Sequence, residues 1–308
     1  MGRKKTVRSA IIAAALLMLA PLVASPLMTA PAWAGDPVIE DPAKIDPNYP
    51  PAVRELRINS DGATMYGHIY LADGAGPHPT VVLLHGFPRF EKNLDIAQAI
   101  RRSGWNVLFF HYRGAWGSEG VFSFSNGIED VAAALAFLRD PENAMLRVDA
   151  SRIALIGHSM GGFMALQGGA VDAGVKCIAG IAAANLGDRA LIAEASPEAL
   201  EGFKKYSDTL GMLNGFSGDS AIAELAAAGA SFDLRQLAPR LAGKSIFLIG
   251  GERDQAVDIS VFESLVQAYK TTLGIDLAEL RLDADHSFSW HRIRLSGELA
   301  GWLNQSCR

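Results

Sequence analysis

Three short stretches of this 308-residue chain carry side chains that could act together on an acyl group. Residues 153–162 read IALIGHSMGG, which places Ser159 between Gly157 and Gly161 directly after an apolar run. A serine hydroxyl is a weak nucleophile. It needs a base, an acid to orient that base, and donors for the oxyanion that forms when it attacks a carbonyl. A sharp strand-to-helix turn presents such a serine, and glycines on both sides fit because the turn has no room for a Cβ at either flank. The remaining partners should follow in the order acid, then histidine. After the apolar segment 245–249 comes GGERDQAV, with Asp254 in the loop, and after 280–282 comes DADHSF, with His286.

Competing residues are placed less well. Glu252 and Asp258 flank Asp254, but only Asp254 has the expected offset from the strand. His291 falls inside a C-terminal helical pattern, and His68 and His78 precede the sheet. For the oxyanion, one donor is the N–H of Met160, the residue after the nucleophile. The other should come from the loop after an early strand. That loop is His85-Gly86-Phe87-Pro88, where Gly86 allows close approach and the Phe87 N–H is the second donor.

These loops need elements to hold them. Residues 54–58 and 65–71 alternate polar and apolar around Asp61-Gly62, the pattern of a β-hairpin. From residue 81 the pattern changes to short continuous apolar runs at 81–84, 107–110, 153–156, 178–182 and 246–249. Strands of that kind belong to a parallel sheet covered on both faces. Helical periodicity intervenes at about 93–103, 127–139, 160–172 and 259–273, with a last helix near 290–304. The alternation predicts a doubly wound, mostly parallel α/β sheet with an N-terminal hairpin. Residues 185–244 are too long for one crossover. They read as a small helical insertion, three helices at 197–210, about 219–229 and 233–241, that could form a lid or pack at the side.

Taken together, LLHGFP (83–88), GHSMGG (157–162), GGERD (250–254) and DADHSF (283–288) resemble the α/β-hydrolase superfamily over about residues 53–305. The stretch HYRGAWGSEG (111–120) and the hairpin on Ser-Asp-Gly (60–62) are similar to dienelactone-hydrolase-like and prolyl-oligopeptidase-like members. The resemblance implies Ser159, Asp254 and His286 as the catalytic residues and Phe87 and Met160 as the oxyanion donors. Dienelactone hydrolases proper use a cysteine where this chain has serine, which disfavours that activity. About 20 residues lie between the leader described below and the hairpin, so the upstream propeller of the prolyl oligopeptidases is missing. Within HYRGAWGSEG, Arg113 could clamp a substrate carboxylate, but a structural pair with Glu119 bracing the loop is the favoured reading. Trp116, Phe122 and Phe124 could line an acyl pocket or pack beneath that loop.

The remainder of the chain narrows the setting. A basic start (Arg3, Lys4, Lys5, Arg8), an apolar run from 11 to 24 and Ala32-Trp33-Ala34 form the three parts of a signal peptide over 1–34, cleaved near Ala34. Pro21 interrupts a run well short of the roughly 20 apolar residues a membrane span needs, so no stable span is expected. Prolines at 37, 42, 47, 50 and 51 make 35–52 an extended lead-in to a domain covering 53–308. Losing the leader's four cations takes the net charge from −5 to −9, which disfavours nucleic acid as a partner. Cys177 and Cys307 could pair in an exported protein, but two unpaired thiols, one buried in a strand and one at the chain end, is the favoured reading. No metal spacing and no cofactor motif is present.

The sequence therefore points to an exported serine hydrolase of carboxylic esters or related acyl compounds, with a small molecule or short peptide as substrate. A serine peptidase of aminopeptidase or dipeptidase type is the alternative, and a non-catalytic binding protein on the same fold is a further one. Nothing in the sequence fixes the substrate-binding residues or the oligomeric state.

Overall fold

The structure is a computed structural model that describes residues 1–2, 36–87, 91–188 and 196–307. The expected signal segment lies outside the described residues except for Met1 and Gly2. Residues 36–51 contain no strand or helix. They are tied to the body by Arg102, whose Nε and Nη2 donate to the Pro37 and Val38 carbonyls at 2.6 and 2.9 Å.

Eight strands form one sheet: β1 (Ala52–Ser60), β2 (Ala63–Leu71), β3 (His78–Leu84), β4 (Asn106–Phe110), β5 (Val148–His158), β6 (Cys177–Ile181), β7 (Ser245–Gly251) and β8 (Asp276–Leu282). Their order across the sheet is β1-β2-β4-β3-β5-β6-β7-β8. β1 and β2 form an antiparallel hairpin that joins β4 in antiparallel fashion, and every pair from β4 to β8 is parallel. The hairpin turns on Asp61 (φ 49°) and Gly62 (φ 78°), the two left-handed positions that a two-residue turn between right-twisted strands requires. His68 and His78, which the sequence reading put ahead of the sheet, belong to it: one lies within β2 and the other opens β3.

Helices α1 (Leu94–Arg102), α2 (Phe124–Arg139), α3 (Met160–Val171), α4 (Pro197–Asp208), α5 (Gly218–Ala228), α6 (Ile259–Lys270) and α7 (Arg292–Ser306) complete the described elements, with short 3₁₀ turns. Strands β3 to β7 carry continuous apolar runs because successive side chains enter different cores. Val82, Leu84, Leu155 and Leu248 face α2, α3 and α6 through Leu135, Phe163 and Leu265. Val81, Leu83, Ile156 and Ile249 face α1 and α7 through Ile100, Leu299 and Leu303.

The insertion contributes α4, capped by Ser196, and α5, capped by Ser217. Its third expected helix is a 3₁₀ element, Leu234–Leu241, because Pro239 inside it lacks the N–H that a longer α-helical ladder needs. Glu224 on α5 fastens the insertion to the body. Its carboxylate accepts from the Phe124 and Ser125 N–H groups at 3.0 and 2.7 Å, at the start of α2.

Cys177 and Cys307 form a disulfide, which corrects the expectation of two unpaired thiols. Cys177 opens β6 and Cys307 caps α7, and the sheet-to-helix packing brings their Cα atoms to 5.9 Å, within bonding range. The bridge closes a loop of 130 residues and pins the C-terminal helix to the sheet. Reduction should therefore lower stability by about 2–5 kcal/mol. The measurement is the urea midpoint with and without dithiothreitol, and an unchanged midpoint would contradict the expectation.

Candidate active site

The site lies where four parallel strands end at their carboxyl edge, beside the point where chain order reverses around β3. β5 ends at His158 and α3 begins at Met160, so Ser159 alone makes the turn. Its backbone has φ 58° and ψ −121°, outside the ordinary helix and strand regions. The surrounding structure holds that geometry. Ser159 N–H donates to the Ile181 carbonyl at 2.9 Å, and the Ser159 carbonyl accepts from Gly162 and Ala184 at 2.9 and 3.0 Å. The flanking glycines are required by close approach. A Cβ on Gly157 would run into the Gly161 carbonyl, and one on Gly161 into the carbonyl of Leu84.

Asp254, three residues past the end of β7, has a side chain with no solvent exposure. Its Oδ1 accepts from the Ala256 and Val257 N–H groups, each at 2.8 Å, and its Oδ2 pairs with His286 Nδ1 at 2.6 Å. That arrangement fixes the carboxylate and directs the Nε2 edge of His286 away from it. The competing acids serve elsewhere: Asp258 caps α6 through the Ser260 N–H, and the backbone N–H of Glu252 bonds Leu282. His291 sits at the N-cap of α7. Ser159 and His286 line one cavity. Among the described residues no hydrogen bond joins the serine hydroxyl to Nε2. Contacts of this kind are often open without substrate and tighten when it binds.

Phe87 and Met160 line the same cavity, and neither backbone N–H has an acceptor among the described residues. Met160 is the first residue of α3, so its N–H is one of the unpaired amides that every helix N-terminus presents.

The sequence reading missed His158. Its Nε2 lies 2.7 Å from the His286 carbonyl, the two rings are 4.7 Å apart, and its side chain is buried. Burial, aided by His286, pushes its pKa down to about 3, so the ring is neutral and Nε2–H is the donor. A histidine just before the candidate nucleophile thus holds the backbone of the candidate base, acting as a positioning residue. Replacing it with phenylalanine keeps the bulk and removes the donor. The expected result is a kcat about tenfold lower with KM little changed, since one buried hydrogen bond contributes about 1–1.5 kcal/mol. A kcat within twofold of the parent would contradict it.

His85 precedes the Phe87 loop and is also buried. Its Nδ1 donates to the Gly86 carbonyl at 2.8 Å, and its Nε2 lies 3.3 Å from His111 Nδ1. Burial lowers the His85 pKa to about 4. Both His85 and His158 therefore titrate below their ordinary value of 6.5. In the range between, the unfolded chain binds protons that the folded chain refuses, so stability is full above pH 6.5 and falls as pH drops toward 4. The slope is at most about 1.4 kcal/mol per pH unit for each histidine. Urea midpoints at pH 7.5, 6 and 5 should fall in that order, and a flat profile would contradict the assignment.

The other residues marked by the sequence divide between the cavity and the scaffold. Phe124 lines the cavity, whereas Phe122 packs behind it, at 6.0 Å between ring centroids. Trp116 stacks on His111 at 6.0 Å. Arg113 is structural. It is buried and pairs with Asp130, with Glu129 at 2.6 Å and with Asp61 at 3.4 Å. Glu119 is not its partner, since that carboxylate accepts from the Thr64 N–H at 2.8 Å. Among the described residues no three His, Cys, Asp or Glu side chains gather to hold a metal, and no helix is long and apolar enough to cross a membrane.

A strained serine on a β5–α3 turn, an Asp–His pair from the loops after β7 and β8, and a mostly parallel eight-stranded sheet are features that define a class. Residues 81–294 match the model of the alpha/beta hydrolase family, and the chain belongs to that family. No curated protein matches it by sequence. Among solved structures it is similar to the Pyrococcus furiosus esterase Pf2001, with 18% identity, a TM-score of 0.62 and coverage of 85% of this chain and 94% of that one. Est1E from Butyrivibrio proteoclasticus has 15% identity and a TM-score of 0.62, over 82% and 98% of the two chains. Pyrococcus horikoshii acylaminoacyl peptidase has 15% identity and a TM-score of 0.60, over 83% of this chain and 42% of that one. At such identities the likeness is one of fold.

Proposed function

We propose that this hydrolase cleaves carboxylic esters through an acyl-enzyme formed on Ser159. The observation that carries the reading is the Asp254–His286 pair, at 2.6 Å, opening into one cavity with Ser159 and two amides that have no acceptor among the described residues. His286 takes the Ser159 proton as Oγ attacks the ester carbonyl, and Asp254 stabilises the imidazolium. The Phe87 and Met160 N–H groups receive the oxyanion. His286 then returns the proton to the leaving alcohol, and water, activated by the same histidine, releases the acid.

The peptidase reading has one observation in its favour, Glu91, which lines the cavity and could hold a substrate amine. The remainder of the wall is largely apolar, which supports the ester. Turnover of p-nitrophenyl acetate against aminoacyl p-nitroanilides tests this choice. Ester hydrolysis with little amide cleavage is expected, and amide cleavage alone would overturn the ester assignment.

The same proposal places the enzyme outside the cytoplasm after removal of residues 1–34. The tripartite N-terminal sequence supports export, and so does the Cys177–Cys307 bond, of a kind that persists in oxidising compartments. The mature N-terminus should read Gly35-Asp36-Pro37 on sequencing of exported protein; an intact Met1 would contradict it.

A further inference from the structure

Four aromatic rings meet in the cavity beside Ser159. Phe87 and Phe124 come from the body, and Phe203 and Tyr206 stand three residues apart on one face of α4 in the insertion. Phe87 is the hub, with ring centroids 5.7 Å from Phe124, 6.4 Å from Phe203 and 6.0 Å from Tyr206. Phe122 and Phe216 back the group at 6.2 and 5.6 Å from Phe87. The space enclosed is about 350 Å³.

The two halves of an ester can be assigned to the two sides of this cavity. If Ser159 attacks as proposed above, on which this inference rests, the carbonyl oxygen must lie at the Phe87 and Met160 N–H groups. The acyl substituent then leaves the carbonyl carbon beside Phe87, whose own ring is the hub of the aromatic wall. The leaving oxygen must face His286, which returns its proton, and the loops around it line the cavity with Gln255, Ala256, Val257 and Ser287. The acyl side is therefore the aromatic one, and the alcohol side mixes polar and small apolar groups.

The geometry points to an acyl group that carries an aromatic ring, of arylacetic or arylpropanoic type, packed against the body and α4 rings that line the cavity. Aromatic rings packed on one another at offset or edge-to-face angles attract beyond the area they bury. A saturated ring of equal size gains only the burial. Phe203 and Tyr206 are the specificity-determining residues supplied by the insertion.

The test compares p-nitrophenyl 3-phenylpropanoate with p-nitrophenyl 3-cyclohexylpropanoate on the purified full chain. The aromatic ester should have the higher kcat/KM, by about two- to tenfold. In Phe203→Ala and in Tyr206→Ala that ratio should fall toward one. Both esters are measured on the same preparation, so any unfolded fraction cancels in the ratio, and either variant suffices if the other does not fold. A parent ratio of one or below would overturn the inference, as would a ratio untouched by both substitutions. Turnover of p-nitrophenyl acetate and labelling by a fluorophosphonate separate the two levels. If both are present with no aromatic preference, only this inference fails; if both are absent, the ester-hydrolase reading fails with it.

Discussion

Replacing Ser159 with alanine is expected to lower kcat for p-nitrophenyl acetate by on the order of 10⁵-fold or more, leaving the fold intact. The size of the effect follows from the proposed chemistry, in which Ser159 itself carries the acyl group. The described lining residues include a second hydroxyl near His286, that of Ser287, but only Ser159 sits on the turn beside the Met160 amide. Alanine at 159 loses one oxygen atom, and it must keep the same positive φ. Alanine has the same Cβ as serine, so the positive φ costs it no more, and the fold should persist. Circular dichroism at 25 °C distinguishes a folded, inactive protein from an unfolded one. A folded variant that retains more than a hundredth of parental kcat would remove Ser159 from the mechanism.

The second large effect concerns Asp254. Changing it to asparagine should lower kcat by about 10⁴-fold while preserving the packing around it. The side-chain oxygen of asparagine can still accept from the Ala256 and Val257 N–H groups, which now bond Oδ1. Its amide nitrogen then faces His286 Nδ1 as a donor and forces the proton of the ring onto Nε2. In that tautomer His286 cannot accept the Ser159 proton. Fluorophosphonate labelling should slow in parallel with kcat, and substrate KM should change little. A variant with more than a tenth of parental kcat would mean that Asp254 does not orient the base. Asp258 and Glu252 would remain poor substitutes, the first being engaged as the cap of α6 and the second exposed.

How much of this could be read before the structure depended on the range of each interaction. The turn at Ser159, the hairpin at Asp61-Gly62 and the parallel strands are set by neighbours in sequence. Glycine spacing and continuous apolar runs signal them, and the residue types at 254 and 286 follow from where the strands end. The match of residues 81–294 to the alpha/beta hydrolase family agrees with that reading.

What sequence could not supply are pairings between distant segments. Cys177 and Cys307 are separated by 130 residues, and only the packing of α7 on the sheet brings them together. His158 looked like an ordinary residue of the motif because its partner, the His286 carbonyl, lies 128 positions away. Arg113 seemed to belong with nearby Glu119, yet burial of its side chain calls for the buried carboxylate of Asp130, supplied by α2. The aromatic wall has the same origin. Phe87 follows β3, Phe124 opens α2 and Phe203 lies on α4, and no periodicity within one segment announces that the three meet. One local signal was available but not used: Pro239 argues against a regular helix over 233–241.

The central claim is that Ser159 becomes acylated. Its most direct test is reaction of the purified protein with a fluorophosphonate, followed by peptide mapping by mass spectrometry. The account predicts one equivalent of label on Ser159, lost in Ser159→Ala and strongly slowed in Asp254→Asn. Label on another residue, or none on a protein that still turns over p-nitrophenyl acetate, would contradict it.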